Sequence, residues 1–135
     1  MEHHLTTYIT HDTLISALGF GTQENLEAIR SYHSGITLQT DKRIADTPLL
    51  AATLSQERLQ QQAEAIGVSG YPRMEQLFIL TINELIRQSG QTLEDKTCGL
   101  ILSTTKGNID LLARHTEHPD EAVFLWKMAE NIAGY

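Results

Sequence analysis

The sequence predicts an α/β layered fold, with a mostly parallel sheet flanked by helices, in one domain over residues 1–135. Three observations carry that expectation. Short β-branched or apolar runs alternate with segments whose apolar residues recur at helical spacing. One long helix signal, "YPRMEQLFILTINELIRQSG", carries an apolar arc too wide for a surface helix. The run that follows it, "CGLIL", shows no alternation, as expected of a strand covered on both faces in a parallel sheet.

"LTTYIT" (5–10) is rich in β-branched and aromatic residues and reads as the opening strand. "TQENLEAIRSYHSG" reads as a helix with Thr22 as N-cap, Glu24 in its first turn, Leu26 and Ile29 on one face, and Gly35 as its stop. "ITLQT" and "LLAATL" are short strands around the polar stretch "DKRIADTP". Ser55 caps a surface helix, "SQERLQQQAEAIG", ended by Gly67. In the long helix, Pro72 suits the first turn, and Met74, Leu77, Phe78, Leu85 and Ile86 recur at three- and four-residue steps until Gly90. Ile79, Leu80 and Ile82 widen the arc, so one side should face a sheet and another a second layer or partner. "GNIDLLAR" and "PDEAVFLWKMAENIAGY" are further helices, the second opening with Pro119, Asp120 and Glu121. "LTTYIT" and "TCGLILS" are expected to be neighbouring strands of the parallel sheet, with the long helix packed on them.

Composition narrows the function classes. A net charge of −7 and a pI near 5.2 disfavour a nucleic-acid or anionic-membrane binder, and the ten Lys and Arg residues form no basic block. No apolar run reaches the roughly 20 residues that span a bilayer, and "MEHHLTTYIT" lacks a secretion signal, so a cytoplasmic protein is expected. The single cysteine, Cys98, sits in the apolar run and reads as a small buried hydrophobe that labels slowly when native.

The stretch "CGLILSTTKGNIDLL" (98–112) raises the question of a phosphate loop. A P-loop needs a second glycine followed directly by Lys and Ser/Thr, whereas here Lys106 precedes the only loop glycine, Gly107, and Asn108 follows it. A nucleotide site of that kind is not expected. His115 and His118, with Glu117 between them and Asp120 beyond, could bind a divalent metal, but a polar loop before a helix accounts for the same residues, and no metal or cofactor is expected. His3 and His4 read as a loose terminus, and Asp110 with Glu117 would need a shared cleft to act as an acid/base pair.

Four stretches, in order, resemble the N-terminal part of β-ketoacyl-acyl-carrier-protein synthases, condensing enzymes with a thiolase-like fold. "ISALGFGTQENLEAIRSYHSGIT" is similar to the family's opening, with Leu18-Gly19 in a small-residue turn and Ser34-Gly35-Ile36 after the helix. "TPLLAATLS" resembles the return into a strand, and "YPRMEQLFILTINELIRQSG" the long helix that ends in Ala-Gly or Ser-Gly. "CGLILSTTKGNIDLL" resembles the Gly-apolar run and its Thr- and Gly-rich loop. The resemblance implies a partial thiolase-like layered fold ending before the nucleophile. It implies a parent that condenses acyl chains by decarboxylative Claisen chemistry in fatty-acid, polyketide or aryl-polyene-type biosynthesis, with an acyl carrier protein as partner.

That chemistry uses a cysteine nucleophile and two histidines, or His and Asn. Cys98 and the six histidines match none of the family's positions, so no catalytic residue is assigned and the chain as given is expected to be inert. The resemblance places Thr104, Thr105, Lys106 and Gly107 in the loop that borders the acyl pocket. A lysine at 106 departs from the usual apolar residue there, which leaves a polar substrate, a divergent branch, a non-catalytic chain-length-factor-like subunit, or a side chain that simply points to water. A free-standing binding domain is the third reading. Self-association is expected through a sheet edge or the last helix, with Phe78, Leu125 and Trp126 as candidate exposed apolar residues.

Overall fold

The computed structural model describes residues 6–91, 96–114 and 120–135. Among them the chain forms a small mixed α/β domain with four α-helices and two small antiparallel sheets. The expected parallel sheet is not among these elements. Residues 6–10 and 98–103 belong to neither sheet. Strand-forming residues make a strand only when a neighbour supplies its ladder, and no described segment pairs with either run.

The first sheet is a minimal hairpin of β1 (Ile15–Ser16) and β2 (Gly19–Phe20), in register Ile15 to Phe20 and Ser16 to Gly19. So short a pair is held from outside, by Asn25 on helix α1 (Thr22–Arg30). The Asn25 side chain is 2% exposed, its amide nitrogen donates to the carbonyls of Leu14, Gly19 and Gly21, and its oxygen accepts from the Ser16 hydroxyl. Gly21 takes the N-cap position at φ +123°, a conformation open to glycine; Thr22, expected as the cap, is the first helical residue and bonds Asp12 instead. Helix α1 also ends earlier than expected. Tyr32 adopts φ +55°, and the amides of Tyr32 and His33 bond the carbonyls of Ile29 and Ala28, a Schellman closure with tyrosine where glycine is usual.

The second sheet pairs β3 (Ile36–Gln39) with β4 (Leu49–Ala52), with Leu38 opposite Leu50. Both leucines are exposed, so this ribbon contributes little to the core. Helix α2 (Gln56–Ala65) starts at the expected cap, where the Ser55 hydroxyl accepts from the Arg58 amide at 3.2 Å. It buries only Leu59 and Ala63, the narrow stripe of a surface helix. Gly67, at φ +77°, closes it and turns Val68 back beneath Ala63. Across the hairpin, Arg58 grips Glu24 with two nitrogens at 2.8 and 3.0 Å and lies 4.8 Å above the Phe20 ring.

Helix α3 (Arg73–Ser89) runs to Gly90 as expected, with Pro72 at the N-cap rather than inside the first turn. Its buried face is not wholly apolar: Glu75, Gln76, Ile79 and Leu80 are the buried residues, while Leu77, Phe78, Leu85 and Ile86 are half-buried. Gln76 is satisfied by the carbonyls of Ser69 and Tyr71. The core joins Ala63, Val68 and Ile79 to Met128 and Ile132 of helix α4 (Leu125–Ala133), with Phe78 and Leu102 packed against it. Phe78 is therefore half-buried rather than fully exposed, and the apolar surface it keeps lines a groove beside residues 13–15. "GNIDLLAR" forms a 3-10 helix, Ile109–Arg114, and the last expected helix is divided into a 3-10 turn, Glu121–Val123, and α4, with Phe124 extended between them.

Candidate functional site

The four loop residues singled out in the sequence stand together between the 98–103 run and the 3-10 helix. The Thr104 hydroxyl accepts from the Lys106 and Gly107 amides at 3.3 and 3.0 Å, which folds the loop into a tight turn. Gly107 completes it at φ +55°, buried against α4: a β-carbon there would lie 2.7 Å from Cδ2 of Leu125. Thr105 and Lys106 are exposed and Thr104 is half-buried. Lys106 thus meets solvent from the rim of the turn.

The root of the loop is the part that the sequence did not disclose. Asn108 is fully buried, and its amide nitrogen donates to Glu75 Oε1 at 2.7 Å and to the Ala122 carbonyl at 2.8 Å. Glu75, also at 0% exposure, accepts in addition from Asn131 on α4 at 3.2 and 3.3 Å. One carboxyl group therefore ties α3, the loop and α4 together. Burial pushes the Glu75 carboxyl above its usual range; the hydrogen bonds from Asn108 and Asn131 and the charge of Lys127 oppose this, and Asp120 adds to it. Among the described residues, the Asn108 side-chain oxygen is buried without a hydrogen-bond partner.

The remaining sequence candidates do not gather into a site. Cys98, expected to be buried, is exposed, because the apolar run around it is not covered as a central strand would be. His11 and His33 are exposed, Asp110 is exposed, and Asp120 caps the Glu121–Val123 turn by accepting from the Ala122 amide at 3.0 Å. His3, His4, His115, Glu117 and His118 lie outside the described residues. Among the described residues, no three His, Cys, Asp or Glu side chains are grouped to hold a metal, and no helix is long and apolar enough to cross a membrane.

Exposed apolar side chains stand on both elements next to the loop, and Leu125 is in contact with Gly107. Leu125 and Trp126 are exposed as expected, Phe124 and Trp126 stack with ring centroids 6.3 Å apart, and Lys127 lies 5.9 Å from the Trp126 ring. Ile101 of the extended run is 94% exposed, while Leu102 beside it packs on the core. A further apolar groove runs between residues 13–15 and the Met74, Leu77 and Phe78 side of α3. Comparison with family models, curated proteins and solved structures found no match for this chain.

Proposed function

We propose that the chain is the N-terminal part of a β-ketoacyl-acyl-carrier-protein synthase, with a partial thiolase-like fold whose parallel sheet needs further strands to form. The observation that carries this reading lies at residues 98–108. An apolar run able to serve as a central strand, with one side chain on the core and the next in solvent, leads straight into a small-residue turn rooted by a buried asparagine. In the family that the motifs resemble, this is where a strand delivers the loop bordering the acyl pocket. Thr104, Thr105, Lys106 and Gly107 are then the rim of that pocket, and an acyl carrier protein presents the substrate.

Carbon–carbon bond formation in such an enzyme needs a thiolate to hold the acyl group and donors to stabilise the enolate left by decarboxylation. Those groups belong to parts of the family's domain that correspond to nothing in residues 1–135. A second reading, a non-catalytic subunit of the same fold, is favoured by Lys106, an ionised side chain where an acyl pocket would use an apolar one. The test is the coding sequence beyond codon 135, followed by assay of its product. A cysteine in an Ala-Cys turn and later histidines, with a 3-oxoacyl thioester formed from an acyl thioester and a malonyl thioester only when that cysteine is intact, supports the enzyme. The same fold without the cysteine supports the subunit, and a stop codon after Tyr135 rejects both in favour of a free-standing binding domain.

A further inference from the structure

A half-open cavity of about 130 Å³ lies where the first hairpin, α2 and α3 meet, and no residue of the Thr104–Gly107 loop lines it. Ile15 and Phe20 are register partners in the hairpin, so their side chains share one face, and both line the cavity. Ile66, at the end of α2, and Leu80 of α3 complete the apolar lining. Phe20 is fixed in place, because Arg58 lies over its ring and is itself held by Glu24 through two hydrogen bonds. Gly21 adds no side chain to the wall, and a β-carbon there would meet no atom within 4 Å.

The polar groups around this floor are of two kinds. Some are already committed: Arg87 donates to both oxygens of Glu84 at 2.7 and 2.8 Å, and the Thr81 hydroxyl donates to the Leu77 and Phe78 carbonyls within α3. The charges at the rim thus neutralise one another. Two carboxamides are uncommitted, Asn83, half-buried, and Gln62, exposed at the mouth; neither hydrogen-bonds another described residue. Each offers a donor and an acceptor side by side, the complement of a further carboxamide. An apolar cavity of roughly 150 Å³ takes one benzene, so this one has room for a single six-membered ring with a substituent at its open side. We propose that the cavity binds a small uncharged ring bearing a carboxamide, the ring against Ile15, Phe20, Ile66 and Leu80 and the carboxamide on Asn83 and Gln62. A carboxylate or an ammonium there would be desolvated beside an ion pair that is already closed. The site rests on this geometry alone and stands apart from the condensing-enzyme reading.

The test is nuclear magnetic resonance of the whole 135-residue chain, titrated with benzamide and, beside it, with benzoate and benzylammonium as charged rings of similar size. Benzamide is expected to move the side-chain amide signals of Asn83 and Gln62 and the Gly21 backbone amide along one saturation curve, half-complete below about 10 mM. The charged rings are expected to bind at least about tenfold more weakly. Asn83→Leu and Gln62→Leu keep good helix formers at both positions, and each is expected to weaken benzamide by about fivefold, the worth of one hydrogen bond, while leaving toluene unaffected. The proposal is overturned by the absence of a saturable shift at these residues, or by charged rings that bind as well as benzamide. It is equally overturned by variants that bind benzamide like wild type or lose toluene to the same extent. The wild-type titrations need no variant, so they decide the matter even where a substitution prevents folding.

Discussion

Replacing Gly107 by alanine strains two independent features of the loop. Its backbone sits at φ +55°, where an L-residue costs roughly 1 kcal/mol more than glycine. The new β-carbon would also lie 2.7 Å from Leu125 Cδ2, too close for van der Waals contact, so Leu125 must leave its rotamer. Leu125 is 52% exposed and can swing outward, which limits that cost to about 0.5–1 kcal/mol. The sum, about 2 kcal/mol, corresponds to a fall in Tm of roughly 6–10 °C for a domain of this size. Urea unfolding of Gly107→Ala, Leu125→Ala and the double variant separates the parts. The double variant should recover about 0.5–1 kcal/mol relative to the sum of the singles, leaving the backbone cost in place. A Gly107→Ala chain within about 0.5 kcal/mol of wild type would refute both the left-handed turn and its seat against α4.

Tyr32 presents the converse case: it is 97% exposed at φ +55°, so Tyr32→Gly should stabilise the chain by about 0.5–1 kcal/mol, read as a higher urea midpoint at unchanged slope. Because Cys98 is exposed, a thiol reagent should label it in the native chain within about tenfold of its rate in denaturant; much slower labelling would mean that the 98–103 run is covered in solution. Phe124, Leu125 and Trp126 are exposed neighbours that contribute contiguous apolar area. Light scattering over a dilution series should therefore show self-association that Trp126→Asp weakens at least tenfold, or about 1.4 kcal/mol, whereas a monomer throughout the series would count against it.

What was legible in the sequence was what local chemistry decides. Ser55 announces α2, Gly90 ends α3, and the two short strands around the 41–48 turn lie where their residue types place them. Closure of α1 was not legible because Tyr32 does there what glycine usually does, and no composition rule singles out a tyrosine. The 98–103 run was misjudged for a different reason. Its lack of alternation reports a demand for cover on both faces, and whether that demand is met depends on segments far away in the chain.

The buried cluster shows a third kind of illegibility. On the helical pattern Glu75 stands one turn before Ile79, on the face that enters the core, and Asn131 lies beside Ile132 on the buried stripe of α4. Each breaks an apolar face, and taken singly each reads as a residue at the edge of a stripe. Only the tertiary structure brings them to the same point as Asn108, where two amide nitrogens donate to one carboxyl group. A polar group buried without such partners would cost on the order of 1–3 kcal/mol, so the three positions are bound to one another more tightly than their separate apolar neighbours require. Their meeting point lies directly beneath the loop that the resemblance places at the border of an acyl pocket. That coincidence is the physical reason to expect Thr104–Gly107 to have one defined geometry, set from below by Glu75, rather than the freedom that its exposed Thr105 and Lys106 suggest.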